Sequence, residues 1–226
     1  REAIAIAHKI ANLRWADGSS IKNVNQEELG VEGAEDSGHA GFNYGMEPSW
    51  FRFGLSPNAP FGNGGTPGSY GAIPNVQALY SNTLVGGDPV TPVFTTTAGT
   101  PTRMHVVTGA SADRDSTFIL HGHVWQRDPF VCPEDSYLRL PGYCYQNGTY
   151  YSGPDSIPSQ ALGHNPLGKY MGGEEGMGHV YGHWPILFNA GGSFGVSGDY
   201  LFRDYTPSGN RNGMFGILRV KPASTQ

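Results

Sequence analysis

The segment Phe118-Ile-Leu-His121-Gly-His123-Val-Trp125-Gln places two imidazoles two residues apart. Side chains alternate between the faces of a β-strand, so His121 and His123 are expected to project together, with Gly122 leaving the opposite face uncrowded. Such a pair suits metals that accept nitrogen donors, copper and zinc among them. Two solvent-facing histidines on a strand are the ordinary alternative, and one His-x-His does not decide between them. A second group lies further on: His164, Glu174, Glu175, His179 and His183. Two histidines four apart, with two acids just upstream, can hold a metal ion if a turn gathers them. A helix aligning His179 with His183 is undermined by Gly176, Gly178 and Gly182, each costing about 1 kcal/mol. A solvated loop with incidental histidines is the alternative there. His105, within a strand-like run, reads as a hydrogen-bonded structural residue.

Other chemistries find little support. Gly62-Asn-Gly-Gly65 lacks the following Lys-Ser/Thr of a phosphate loop. No Gly-x-Ser-x-Gly with a plausible acid and base is present, and no catalytic residue is assigned. Cys132 and Cys144 would most simply close one disulfide loop in a secreted chain, contributing about 2–4 kcal/mol; free thiols are the cytosolic alternative. Asn147-Gly-Thr149 matches a glycosylation acceptor and is read as chance.

The elements that position these residues follow from composition and pattern. The chain has 226 residues with 34 Gly and 17 Pro, only 15% charged residues and 12% aromatic residues. That balance excludes a coiled coil or helical bundle and argues against disorder. With 14 basic and 19 acidic residues and no basic cluster, nucleic acid is not an expected partner. No apolar run approaches the roughly 20 residues of a membrane span. The opening stretch has no charged n-region with a long apolar core, so it does not read as a signal peptide.

Residues 1–23 show helical spacing of Ile4, Ala7, His8, Ala11 and Leu13, predicting a short N-terminal helix that stops at Asp17-Gly18. An acidic loop (24–42), an aromatic strand-like segment (43–53) and a Gly- and Pro-rich connection (54–75) follow. Residues 1–75 are therefore expected to be a helix with a linker or interdomain segment, and 76–226 a domain. Strand-like runs are read at 76–80, 90–97, 103–107, 116–125, 184–189, 200–204 and 214–220. Their spacing predicts an all-β sandwich with a long loop insertion between Trp125 and Trp184.

Four segments follow in order: Ala98-Gly-Thr-Pro-Thr-Arg-Met-His105-Val-Val; the His-Gly-His-Val-Trp run; Ala190-Gly-Gly-Ser-Phe-Gly-Val-Ser-Gly-Asp-Tyr-Leu-Phe-Arg-Asp204; and Gly213-Met-Phe-Gly-Ile-Leu-Arg-Val220. Together, over roughly residues 76–221, they resemble the cupredoxin domains of multicopper oxidases, most of all the large multi-domain bacterial members that include manganese oxidases. The resemblance implies a cupredoxin-like Greek-key β-sandwich in an extracellular or periplasmic protein. It implies that His121 faces a type 2 copper and His123 a type 3 copper, in a cluster that reduces dioxygen and is shared with other cupredoxin domains or chains. A metal ion such as Mn(II), or a phenol, would be the reductant. The chain also departs from the family: Leu201-Phe-Arg-Asp204-Tyr stands where a His-Cys-His is expected, and Phe118 where another histidine would be. No type 1 copper is therefore expected here, and Met214 reads as a core residue. The competing expectation is a copper-free cupredoxin-like module that braces a larger assembly.

Overall fold

The computed structural model describes residues 1–10, 14–19, 39–57, 59, 67–73, 76–85, 87–108, 117–126, 137–140, 143–146, 149–151, 170–175, 182–205 and 213–223. Its strands are β1 (Glu2–Ile10), β2 (His39–Phe42), β3 (Val93–Thr97), β4 (Pro101–Thr108), β5 (Thr117–Leu120), β6 (Trp125–Gln126) and β7 (Tyr137–Leu140). They continue with β8 (Tyr143–Gln146), β9 (Thr149–Tyr151), β10 (Tyr170–Met171), β11 (Gly173–Glu175), β12 (His183–Asn189), β13 (Gly198–Asp204) and β14 (Phe215–Lys221). The one α-helix among the described residues, α1, covers Ser49–Arg52.

Two sheets face each other. The first has the order β12-β4-β1-β2 and the second β11-β5-β13-β14-β3. Each contains one parallel pair, β1 with β4 and β14 with β3, among antiparallel neighbours. Successive strands β3 and β4 belong to different sheets, so the chain crosses the sandwich between Thr97 and Pro101. This is the all-β sandwich expected from the strand spacing. Two small sheets lie outside it: β10 with β6, and the meander β7-β8-β9.

The core follows from strand alternation. Ala3, Ala5 and Ala7 of β1, Met104 and Val106 of β4, and Ile186 and Phe188 of β12 point inward from the first sheet. Phe118, Leu120, Phe202, Leu218 and Val220 meet them from the second. Aromatic rings meet across the two sheets, and Phe42 packs edge-on to Phe202 with centroids 5.3 Å apart. Gly216 lies opposite Phe202 in register, and a Cβ there would collide with the Phe202 ring. Met214 is buried in this core, as expected of a methionine with no cysteine partner for a type 1 site.

Three sequence expectations fail. The N-terminal segment is a strand, β1, and not a helix. Glu2-Ala-Ile-Ala-Ile-Ala-His8 has a period of two as well as a helical spacing, and six registered partners on β4 favour the strand. The turn at its far end does fall at Asp17-Gly18, where Asp17 Oδ1 accepts from the Ser19 N–H at 2.8 Å. Residues 43–53 hold α1 rather than a strand, the neighbouring strand β2 lying just before them. Val76–Tyr80 is a 3-10 helix, held where Leu79 is buried and Tyr80 packs edge-on to Phe215 at 5.4 Å. Arg52, from α1, donates to the Leu79 and Gly87 carbonyls and pairs at 3.0 Å with the buried Glu47. Glu47 in turn accepts from the Val90 N–H, so one ion pair pins the two ends of the Gly- and Pro-rich stretch.

Candidate metal centre

His121 and His123 do not sit on a strand. β5 ends at Leu120, and the His123 N–H donates back to the Leu120 carbonyl at 3.3 Å, closing a four-residue turn. Gly122 holds its third position with φ +72°, the left-handed region a side chain rarely adopts. A Cβ at Gly122 would also press on the Tyr200 ring at 2.9 Å. The turn sends the two rings apart: His121 is exposed, whereas His123 is 4% exposed. The expectation that both imidazoles share a face is therefore corrected. The alternation rule holds only while the backbone stays extended, and Gly122 ends that.

Each ring is already engaged. The Gly191 N–H donates to His123 Nε2 at 3.0 Å. His123 Nδ1 lies 3.0 Å from the His121 carbonyl, which can only accept, so Nδ1 carries the proton. Phe188 and Tyr200 close over the ring at centroid distances of 4.9 and 4.6 Å. Burial pushes the His123 pKa down, opposed by the bond to His121, and keeps the ring neutral. His123 thus ties the β5 turn of the second sheet to the end of β12 in the first.

His121 Nε2 accepts from Arg203 Nε–H at 3.1 Å. Burial first, and the Arg203 charge second, lower its pKa. A guanidinium beside an imidazole repels an incoming cation as well as a proton. Copper held by this pair would need two free nitrogen lone pairs converging on one point. The turn instead offers one nitrogen bonded to arginine and one ring with both nitrogens satisfied. As folded, these residues do not fit a copper cluster.

The second group is divided. His164 and His179 lie outside the described residues. Glu174 and Glu175 are on β11, paired with Phe118 and Thr117 at the edge of the second sheet, whereas His183 opens β12 at the edge of the first. Cys132 also lies outside the described residues, as does the side chain of Cys144 on β8.

A different pair is brought together. On the antiparallel ladder of β4 and β12, His105 faces Pro185 and His183 faces Val107, so the two histidines are diagonal neighbours on one face. His105 Nδ1 and His183 Nε2 are 2.9 Å apart, with the rings stacked at 5.1 Å and 20°. His105 Nε2 is 3.9 Å from Glu2 Oε1. Burial, then the neighbouring His105, lower the His183 pKa. His105 is hydrogen-bonded, as expected, but its partner stands 78 residues away, and spacing in sequence gave no sign of it. Among the described residues no group of three or more His, Cys, Asp or Glu side chains is gathered for a metal ion. No described helix is long and apolar enough to cross a membrane.

No family model matches this chain, and no curated protein does. Solved structures similar to it include Fet3p, a multicopper oxidase that functions in iron import, with 14% identity over 97% of this chain and a TM-score of 0.43. A multi-copper oxidase from Pseudomonas thermotolerans gives 10% identity over 100% and a TM-score of 0.37. A laccase from Botrytis aclada gives 12% over 96% and 0.39. The chain spans 31%, 30% and 29% of their respective lengths. At these identities and scores, the likeness extends no residue role to this chain.

Proposed function

We propose that the chain is a cupredoxin-like domain or subunit of a multicopper-oxidase-type assembly and serves in it as a structural module whose His121–His123 turn gives no ligand to a copper cluster. The four ordered motifs support the family part of this reading, with the two-sheet sandwich as a consistent background. The observation that carries the structural part is His123, whose two ring nitrogens are both committed to backbone partners. In this role the His121–His123 turn is a clasp between the sheets. Copper, dioxygen reduction and oxidation of Mn(II) or a phenol fall to other cupredoxin domains or chains. Extracellular or periplasmic placement follows from the same reading.

The test is copper content and oxidase rate of the intact assembly carrying His121→Ala or His123→Gln. Copper per assembly and rate are expected to match the parent in both, with a lowered thermal midpoint for His123→Gln alone. Loss of copper from the His121→Ala assembly, at unchanged thermal midpoint, would make the turn a copper ligand and overturn the proposal.

A further inference from the structure

We propose that His105 and His183 form a two-imidazole binding site for a divalent transition metal ion, Cu(II) fitting best, on the outward face of the first sheet. The inference is independent of the family reading and rests on four features of the ladder.

The donors are held by backbone, not by loops. Seven registered pairs join β4 to β12, which fixes the separation of the two Cα positions to within the play of a sheet. Their inward neighbours Met104, Val106 and Ile186 are buried in the core, so the strands cannot roll without opening it.

The spacing matches the ion. Metal–imidazole bonds are about 2.0–2.1 Å long. Two nitrogens on one ion are then about 2.9 Å apart at a right angle and about 3.3 Å apart at the tetrahedral angle. The observed 2.9 Å is the length of the hydrogen bond between the rings, and it holds the two nitrogens at a separation that the right-angle edge of tetragonal Cu(II) or Ni(II) also spans. In the metal-free pair one ring donates an N–H to the other across this gap. On binding, His183 passes its Nε2 proton through water to its own Nδ1, so both rings stay neutral, and a ring rotation turns the two freed lone pairs toward the ion.

The tautomer is supported from outside. Glu2, across the parallel register from Arg103, brings a carboxylate oxygen to 3.9 Å from His105 Nε2. At that distance the contact is electrostatic and not a hydrogen bond; the carboxylate favours a proton on Nε2, which leaves Nδ1 unprotonated and facing His183. Glu2 also lies 3.4 Å from Arg103 Nη1 and offsets its charge next to the site.

The site is open. The His105 side chain keeps 24% of its surface in solvent, and His183 is exposed, so an ion can enter and water can fill its remaining positions. This differs from the His123 ring, which is closed in by Phe188 and Tyr200.

The experiment is a Cu(II) titration of the full chain, read by electron paramagnetic resonance and by paramagnetic broadening of histidine ring signals. One Cu(II) with two-nitrogen coupling is expected, and substoichiometric metal should broaden His105 and His183 first. His105→Ala and His183→Ala should each weaken that binding at least tenfold, and Glu2→Gln by a few-fold, while His121→Ala leaves it unchanged. Broadening needs no variant, so it decides the matter even if a substitution harms folding. Binding within twofold of the parent in His183→Ala, or first broadening of other histidines, would overturn the proposal.

Discussion

Two histidine pairs in this molecule invert what spacing alone suggests. His121 and His123 are two residues apart in sequence and are separated by the fold, one ring in solvent and one beneath it. His105 and His183 are distant in sequence and meet at 2.9 Å. The difference lies in the backbone between the donors. An i, i+2 pair shares a face only if the residue between them stays extended, and Gly122 at φ +72° does not. A cross-strand pair shares a face whenever register puts it there, and that is settled by hydrophobic alternation along both strands. The first pair has become a fastening between sheets; the second is left with its facing nitrogens in solvent reach.

The largest contrast is expected from truncating one ring of each pair. His123→Ala removes a buried ring and leaves the Gly191 N–H without a partner, which should cost about 3–5 kcal/mol. Urea denaturation checks this, with an unchanged slope showing that the denatured state is not the cause. His123→Gln, which can still accept from Gly191, should recover part of the loss. A smaller effect is expected at the turn itself. Gly122→Ala meets an unfavourable φ and the Tyr200 ring together, for about 1–3 kcal/mol, and should raise the exposure of His123 to hydrogen exchange.

Acid should act on the same fastening. Burial holds the folded-state pKa of His123 below its usual value of 6.5, so the unfolded chain binds the proton more readily. The stability this ring contributes is fully present above pH 6.5 and is lost as pH falls from there through the lower folded value. His121 and His183 are shifted in the same direction. Stability measured from pH 7 to 5 should therefore decline, and His123→Gln should decline less steeply than the parent. The smallest effect belongs to the open pair: His183→Ala should cost no more than about 1 kcal/mol, because its ring is exposed and its one bond is exchanged for water. A loss as large as that of His123→Ala would erase the distinction between the two pairs.

Much of the sandwich was legible in the sequence. Arg103–Val107 alternates and Met214–Val220 is a short, nearly continuous apolar run, both bounded by turn residues, so they became β4 and β14 within a residue or two. β1 was not legible, because Ala and Ile at its spacing serve a helix and a strand equally. Its partner β4 begins about a hundred residues later, and only that pairing decides. The long insertion hid a meander whose signal was present: Gln146 lies opposite Thr149, and the two residues between them are Asn-Gly, a strong hairpin signature. The site was harder to read. His-Gly-His serves as a strand motif and as a turn motif, and the contact that fixes it, Gly191 to His123, joins residues 68 apart. The His105–His183 pair depends wholly on register, which one sequence does not print.

The most direct test is nitrogen-detected NMR of the histidine rings in the chain labelled with 15N-histidine, before and after addition of Cu(I) under anoxic conditions. His123 should show a neutral ring protonated at Nδ1 with Nε2 as acceptor, and its two nitrogen shifts should not move with added metal. A stoichiometric shift of His123 Nε2 on metal addition, accompanied by His121, would contradict the structural role and restore the pair as copper ligands.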